Sequence, residues 1–118
     1  MTAWNDTQPI FLQIRQQLIE MILKETIPEG EALPSVRQIA TELSVNPLTV
    51  TKAYQSLVDL EIVEKKRGMG MYVAGKARAK LLAHEREKFL AEDWPRIRAR
   101  IDALDLTLND LLTDGDRK

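Results

Sequence analysis

The side chains best suited to bind a ligand are cations and small polar residues between positions 35 and 68. Arg37 carries a planar guanidinium, which can donate two parallel hydrogen bonds to a phosphate or to a guanine base edge. Lys65, Lys66 and Arg67 form a run of three cations, and Gly68 after them has no side chain to block close approach to a ligand. Proteins contact the phosphates and base edges of nucleic acids with these residue types. Taken alone, an exposed arginine is equally typical of a solvated surface. A basic cluster at a hairpin tip more often improves solubility or protects a strand edge than it binds nucleic acid.

The composition argues against enzymatic and metal chemistry. The 118-residue chain has no cysteine and a single histidine, His84. Thiolate metal sites and a Ser–His catalytic pair therefore lack their components. The sequence also has no acidic pair that marks a pocket and no glycine-rich loop that opens a helix. We expect no enzyme activity, no metal and no cofactor.

The net charge of −1 does not by itself indicate a nucleic-acid partner. Residues 1–75 contain seven Lys/Arg and nine Asp/Glu, and residues 76–118 contain ten and nine. Binding to DNA must therefore depend on where a few cations lie. The first residues, MTAWNDTQPI, lack a basic segment followed by an apolar stretch, and no run approaches the roughly 18 apolar residues of a membrane span. We expect a cytoplasmic protein without membrane contact.

A first helix is predicted to begin near Thr7, as its cap, with Pro9 in the first turn. Behind it, apolar residues recur at spacings of three and four, which predicts one buried face. The members of this face are Ile10, Ile14, Leu18, Met21 and Ile22. The residues expected mostly to face outward are Gln13, Arg15, Gln16, Gln17 and Glu20.

Two further helices are predicted to form a helix-turn-helix. Ser35, with Gln38 three residues later, fits a capping box at the start of the second helix. Asn46-Pro47 pairs a preferred N-cap with a preferred first-turn residue, so a third helix is expected to begin there after a short break. In a helix-turn-helix, the N-terminal turn of this third helix enters the major groove of DNA. The residues then nearest to DNA are Asn46, Leu48, Thr49, Thr51 and Lys52.

Two short apolar segments flank the basic run and predict a β-hairpin. Ile62-Val63 precedes the run and Met71-Tyr72-Val73 follows it, with the glycine-containing turn 65–70 between them. Three helices followed by such a hairpin make a winged helix with a basic wing. We therefore predict a mainly α-helical fold with a small β-hairpin, in which residues 1–75 form a winged helix-turn-helix DNA-binding domain.

Residues 76–118 are predicted to form a helical tail of two helices. The first runs from about Lys76 to Glu92, and Asp93 is expected to cap the second, with Pro95 in its first turn. The second helix carries apolar residues at alternating spacings of three and four, which predict a seam that packs against a partner helix. A second copy of the chain is the partner that we expect for this dimerisation region. The seam residues are Trp94, Ile97, Ile101, Leu104, Leu108 and Leu111.

The stretch LPSVRQIATELSVNPLTVTKAYQSLVDLEIVEKKRGMGMYV resembles the N-terminal domain of the GntR family of bacterial transcription regulators. The family pattern runs Leu-Pro-Ser, Arg, an Ala-containing helix, Val-Asn-Pro, Thr-Val and a glycine-bracketed wing. Together with QPIFLQIRQQLIEMI before it, the resemblance covers residues 8–74. The other 44 residues at the C-terminal end permit only a short tail, and a two-helix tail resembles the YtrA-like subfamily. This resemblance implies dimerisation through the tail and repression of operons for membrane transporters.

The resemblance also assigns DNA contacts by position. The contacts carried over from the family are Ser35, Arg37, Asn46, Pro47, Thr49, Thr51, Arg67 and Gly68, to which the residue types add Lys52, Lys65 and Lys66. Glu61 stands at a helix exit where the family usually has glycine, which predicts a turn that is strained or slightly rearranged. Met69 and Met71 replace wing residues that could donate to phosphate, and Thr51 replaces the base-reading arginine of some relatives.

We predict a homodimeric winged-helix repressor that binds a palindromic operator in double-stranded DNA. A small-molecule effector would have to bind between tail and DNA-binding domain or at the dimer interface, and no residue set there indicates its chemistry. The alternative is a winged-helix module that binds proteins and assembles a larger complex. The salt dependence of binding distinguishes these two functions, because phosphate contacts weaken steeply with ionic strength whereas an apolar protein interface does not.

Overall fold

A computed structural model describes residues 4–114, and within them the chain is mainly α-helical with one antiparallel β-hairpin. This confirms the predicted fold class. The chain divides into two compact units between Leu82 and Ala83. The elements in chain order are α1 (Ile10–Leu23), α2 (Val36–Leu43), α3 (Pro47–Asp59), β1 (Val63–Lys66), β2 (Gly70–Val73), α4 (Ala77–Lys88), a π-helical segment (Phe89–Asp93), α5 (Trp94–Ala103) and α6 (Leu108–Asp114).

The hydrophobic core of the first unit is built mainly by α1 and α3. Each helix buries an apolar stripe at spacings of three and four. Of the face predicted for α1, Met21 is only half-buried and Ile10 is 38% exposed, whereas Ile19 is buried instead. The hairpin and the first two turns of α4 add further side chains to this core. Each fully buried aliphatic side chain stabilises the fold by about 1.5–3 kcal/mol. The buried core includes Ile14, Leu18, Ile22, Val50, Ala53, Tyr54, Leu57, Val63, Val73, Ala77 and Leu81.

The start of α1 differs from the prediction. Pro9 stands at the N-cap without a side-chain cap, and Thr7 instead bonds through its N–H and hydroxyl to Asn5 Oδ1. Gln13, expected to face outward, is only 9% exposed. Its side-chain amide donates to the carbonyls of Asn5 and Gln8 and accepts from the Asn5 N–H. Gln13 is therefore buried because it satisfies the polar backbone of the segment that leads into the helix.

The starts of α2 and α3 confirm the predicted caps. The Ser35 hydroxyl accepts a hydrogen bond of 3.0 Å from the Gln38 N–H, and Asn46 Oδ1 accepts one of 2.8 Å from the Leu48 N–H. The reciprocal half of the capping box is absent at α2, because the Gln38 side chain donates to Glu42. Each of these caps stabilises its helix by about 1 kcal/mol.

Within residues 4–114, four helices end on a residue other than glycine in the left-handed region. In each, the two backbone hydrogen bonds of a Schellman motif close the helix; at the end of α3, Glu61 N–H donates to Val58 O and Ile62 N–H donates to Leu57 O. A side chain in this conformation costs roughly 1–2 kcal/mol. The strained turn predicted at Glu61 is therefore present, at a φ of 62°. The four residues are Glu25, Ser44, Glu61 and Asp105.

One buried hydrogen bond joins α3 to the entry of α2. Tyr54 is 1% exposed, and its hydroxyl donates to the Pro34 carbonyl at 2.6 Å. Burial, and to a lesser extent the nearby Glu42 carboxylate, raises the pKa of Tyr54 to about 12. The phenol therefore keeps its proton, and the hydrogen bond, throughout the neutral range.

The hairpin is attached to the segment before α2. In its register Val63 pairs with Val73 and Lys66 with Gly70. On the other side of β2, Leu33 N–H donates to Met71 O, and Val73 exchanges backbone hydrogen bonds with residues 30 and 31. The wing is thus fixed along β2 on both of its edges, while its loop extends beyond these bonds.

The second unit is helical, as predicted, but its elements divide differently. The helix predicted to end near Glu92 becomes π-helical at Phe89–Asp93 and continues into α5, and Asp93 has helical backbone angles and makes no cap bond. A widened π turn before Pro95 fits a residue that cannot donate a backbone N–H to the preceding turn. The expected cap at Asp93 is therefore wrong.

The predicted seam is split between two helices. α5 ends at Ala103, and α6 begins at Leu108 after a turn. A capping box that the sequence analysis missed starts α6, because Thr107 N–H donates to Asp110 Oδ2 and Asp110 N–H donates to Thr107 Oγ1. The bond from the Thr107 backbone N–H, and to a lesser extent the Thr107 side chain, lowers the pKa of Asp110. Leu108 and Leu111 therefore lie on a different helix from the rest of the seam.

We predict that Tyr54→Phe lowers the free energy of unfolding by about 1 kcal/mol at neutral pH, because the Pro34 carbonyl loses its phenol donor. The raised pKa means that the tyrosine contribution is complete below pH 10 and is lost as the pH rises towards 12. Urea denaturation at several pH values should therefore show the gap between the two proteins closing above pH 10. Tyr72→Phe is the control, since its hydroxyl has no partner among the described residues and its removal should change little.

We predict that Glu61→Gly raises the free energy of unfolding by about 1 kcal/mol, because glycine adopts the left-handed conformation without the side-chain penalty. Glu61→Ala is the matched control, which removes the carboxylate but keeps Cβ. Thermal or urea denaturation should show stabilisation by glycine and none by alanine. Equal stabilisation by both would trace the effect to the carboxylate rather than to the backbone.

Candidate nucleic-acid interface

The predicted contact residues of the helix-turn-helix lie at the N-terminal ends of α2 and α3. Ser35 and Asn46 are exposed, and the oxygen of each side chain is already used as a helix cap. The Asn46 side-chain NH₂ has no partner among the described residues, so it keeps two donors for a ligand. Both residues therefore hold their helices in place and present only part of their hydrogen-bonding capacity to solvent.

Arg37 is an exposed cation in the first turn of α2. Among residues 4–114 no hydrogen bond or ion pair engages its guanidinium. The five donors of the guanidinium are therefore free to bind a carboxylate, phosphate or base edge in two-pronged geometry.

α3 has one buried and one exposed face. Thr51 and Lys52 are exposed, as expected for ligand contacts, together with Pro47 and Leu48 at its start. Thr49 is half-buried, so its side chain is less accessible than the sequence predicts. The helix dipole at this end favours an anion such as phosphate, but the first backbone N–H groups already donate within the N-cap.

Lys52 is held by an aromatic ring that the sequence analysis did not connect with it. Its Nζ lies 4.3 Å from the centroid of the Phe11 ring on α1, a distance typical of a cation–π contact. The ring orients the ammonium while the charge stays exposed. No local signal pairs positions 11 and 52, because the contact depends on how α1 packs against α3.

The basic residues of the wing are less concentrated at its tip than predicted. Lys65 and Lys66 belong to β1, so their side chains point to opposite faces of the hairpin. Lys66 Nζ lies 4.5 Å from the centroid of the Tyr72 ring. The loop itself consists of Arg67, Gly68 and Met69. Gly68 has a φ of 74°, in the left-handed region that favours glycine.

A second candidate surface is the apolar seam of the tail. Five of its six members are exposed, and Ile101 is half-buried. Exposed apolar side chains in such number on a short segment are typical of a surface that another molecule covers. The exposed members are Trp94, Ile97, Leu104, Leu108 and Leu111.

Two further expectations concern metals and membranes. Among the described residues there is no group of three or more His, Cys, Asp or Glu side chains that could hold a metal ion. His84 is exposed, and its Nε2 lies 3.9 Å from a carboxylate oxygen of Glu85. Within residues 4–114 no helix has the length and apolar character needed to cross a membrane.

Comparisons with known proteins agree with the resemblance in the sequence. Residues 11–73 match the family model of the bacterial regulatory proteins of the gntR family. The HTH-type transcriptional repressor YtrA of Bacillus subtilis is 45% identical over 78 residues, which cover 66% of this chain and 60% of the repressor. The chain spans about 60% of the length of the curated relatives that it matches.

Solved structures are similar over nearly the whole chain. A GntR family transcriptional regulator from Listeria monocytogenes is 30% identical with a TM-score of 0.77, covering 98% of this chain and 99% of that one. YtrA from Sulfolobus acidocaldarius, a GntR-family transcription factor, is 28% identical with a TM-score of 0.57, covering 99% and 93%. These relatives are transcriptional regulators. The chain therefore belongs to the GntR family of bacterial regulatory proteins, with YtrA-like members among its relatives.

Proposed function

We propose that the protein is a homodimeric, cytoplasmic transcriptional repressor that binds a palindromic operator through its winged helix-turn-helix. The observation that carries the proposal is the set of exposed donors at the N-terminal ends of α2 and α3, above all the unpaired guanidinium of Arg37. Membership of the GntR family and the repressor YtrA of Bacillus subtilis support it.

In this proposal α3 enters the major groove by its first turn. The helix dipole at that end attracts a phosphate, while Arg37 donates to a phosphate or a guanine. Thr51 and Lys52 face the groove from the exposed side of α3. These contacts combine positioning on the backbone with readout of base edges.

The wing contributes charge more than sequence readout. Lys65 and Lys66 lie on opposite faces of the hairpin, so only one of them can contact a given DNA backbone closely. Arg67 at the loop is the cation best placed for the adjacent backbone or minor groove, with Gly68 beside it. Removal of these charges is expected to weaken specific and non-specific DNA alike.

Dimerisation is assigned to the seam of the tail. Its apolar side chains are exposed in the single chain, and burying each of them against a second copy contributes about 1–3 kcal/mol. Two linked subunits place two recognition helices on two half-sites of a palindrome. The YtrA-like resemblance suggests a transporter operon as the target. An effector of unassigned chemistry would act on this dimer.

We predict that Arg37→Ala weakens binding to operator DNA by about 1–3 kcal/mol, because one two-pronged contact is lost from each subunit. The operator is sought in the DNA upstream of the protein's own gene, by fluorescence anisotropy at several salt concentrations. Binding should weaken steeply with salt, as phosphate contacts require.

The matched control for this experiment is Arg86→Ala, which removes an exposed arginine of α4 that is outside the candidate interface. It should bind the operator as the wild type does, and circular dichroism should show both variants folded. Unchanged affinity in folded Arg37→Ala would remove this residue from the interface. Binding that is insensitive to salt would favour the protein-interaction module instead.

We predict that Ile101→Glu converts the dimer to a monomer, because a carboxylate at the centre of an apolar seam loses its hydration and costs several kcal/mol of association. Light scattering gives the mass, and operator titration should show a loss of about a hundredfold in apparent affinity. Ala103→Glu adds the same charge at an exposed neighbour off the seam and should stay dimeric. A dimeric Ile101→Glu protein would place the dimer interface on another surface.

A further inference from the structure

The first turn of α3 carries a large apolar side chain that its own unit leaves uncovered. Leu48, the second residue of α3, is 75% exposed. The residues three, four and seven positions later are Thr51, Lys52 and Gln55, which are exposed and polar. Leu48 is therefore the apolar member of a polar helix face.

The Leu48 side chain has no part in forming or packing α3. The core residues of α3 lie on the opposite face, and Leu48 does not belong to the hydrophobic cluster of the unit. The start of the helix is fixed by the Asn46 cap and by Pro47, which use the backbone of Leu48 but not its side chain. The side chain is thus available to a partner without any cost to the fold.

The major groove offers one apolar group among its base edges, the C5 methyl of thymine. A leucine pressed against the edge of adenine, guanine or cytosine would strip water from donors and acceptors and give them no partner in return. Against a thymine methyl, it buries apolar surface on both sides.

We propose that Leu48 is a specificity-determining residue that selects thymine in each operator half-site through the C5 methyl group. The inference rests on the proposed function, because it requires the first turn of α3 to face the major groove. It also gives the site a means of base selection. Ser35 and Asn46 use their oxygens to cap α2 and α3, and Thr49 is half-buried.

The test removes one methyl group at a time from the DNA. The probe is a duplex that the wild-type protein enriches from a random-sequence pool, with each thymine of one half-site replaced in turn by deoxyuridine, which pairs identically but lacks the methyl. Loss of the methyl that Leu48 contacts should weaken binding about fourfold at that position, as expected for one buried methyl-sized group.

The variant Leu48→Gln shows whether the thymine methyl is contacted by Leu48 or by the methyl group of a nearby threonine. It keeps a side chain of similar length at an exposed position, and it should bind the thymine and deoxyuridine duplexes equally at the sensitive position. Leu112→Gln is the matched control, which changes a leucine of α6 that is 67% exposed and should keep the fourfold difference.

The outcomes distinguish failure of the proposed function from failure of the role of Leu48. If the wild type enriches no sequence, the proposed function itself fails, and the role of Leu48 with it. If the wild type enriches a site whose half-sites lack thymine, or none of whose deoxyuridine substitutions weakens binding, the role of Leu48 is wrong and the proposed function stands. The same holds if Leu48→Gln keeps the penalty at the same position.

Discussion

The candidate interface depends on the hydrogen bond from the buried Tyr54 phenol to the Pro34 carbonyl. Tyr54 lies in the centre of the core face of α3, and Pro34 directly precedes the Ser35 cap of α2. The bond therefore connects the helix proposed to enter the groove with the turn that carries Arg37. A phenol is suited to this position because its ring fills the core and its hydroxyl still reaches a backbone acceptor. The fold thus fixes the exposed residues from the inside.

The polar groups at the helix ends divide between structure and binding. The oxygens of Ser35 and Asn46 each accept a backbone N–H, which uses one of their two lone pairs and leaves less acceptor capacity for base edges. The groups left wholly free are donors and an apolar side chain: the Arg37 guanidinium, the Asn46 NH₂ and Leu48. Donors suit phosphates and the acceptor edges of guanine, and the apolar side chain suits thymine. The chemistry offered to DNA is therefore set by what the caps do not use.

Local signals predicted the parts of the fold whose cause is local. The caps at Ser35 and Asn46 and the order of helices and hairpin follow from residues close together in sequence, and so does the glycine-containing turn of the wing. The burial of Gln13 and the contact of Lys52 with Phe11 could not be predicted, because both depend on how separate segments pack. The C-terminal ends of four described helices could not be predicted either, because their Schellman motifs use residues other than glycine. Thr107 and Asp110 have the spacing of a capping box in the sequence, but the apolar seam that spans them indicated one continuous helix.

The shortage of positive charge has a consequence for how the proposed repressor is controlled. The candidate interface has five cations in each subunit, Arg37, Lys52, Lys65, Lys66 and Arg67, in a chain of net charge −1. Each phosphate contact contributes a limited, salt-sensitive share of affinity, so one subunit alone is expected to bind weakly. Linking two subunits makes the second contact intramolecular and raises apparent affinity without any new contact to DNA. Occupancy of an operator is then most sensitive to association of the tails. Any event that separates the seams would release the DNA without altering a single residue of the interface.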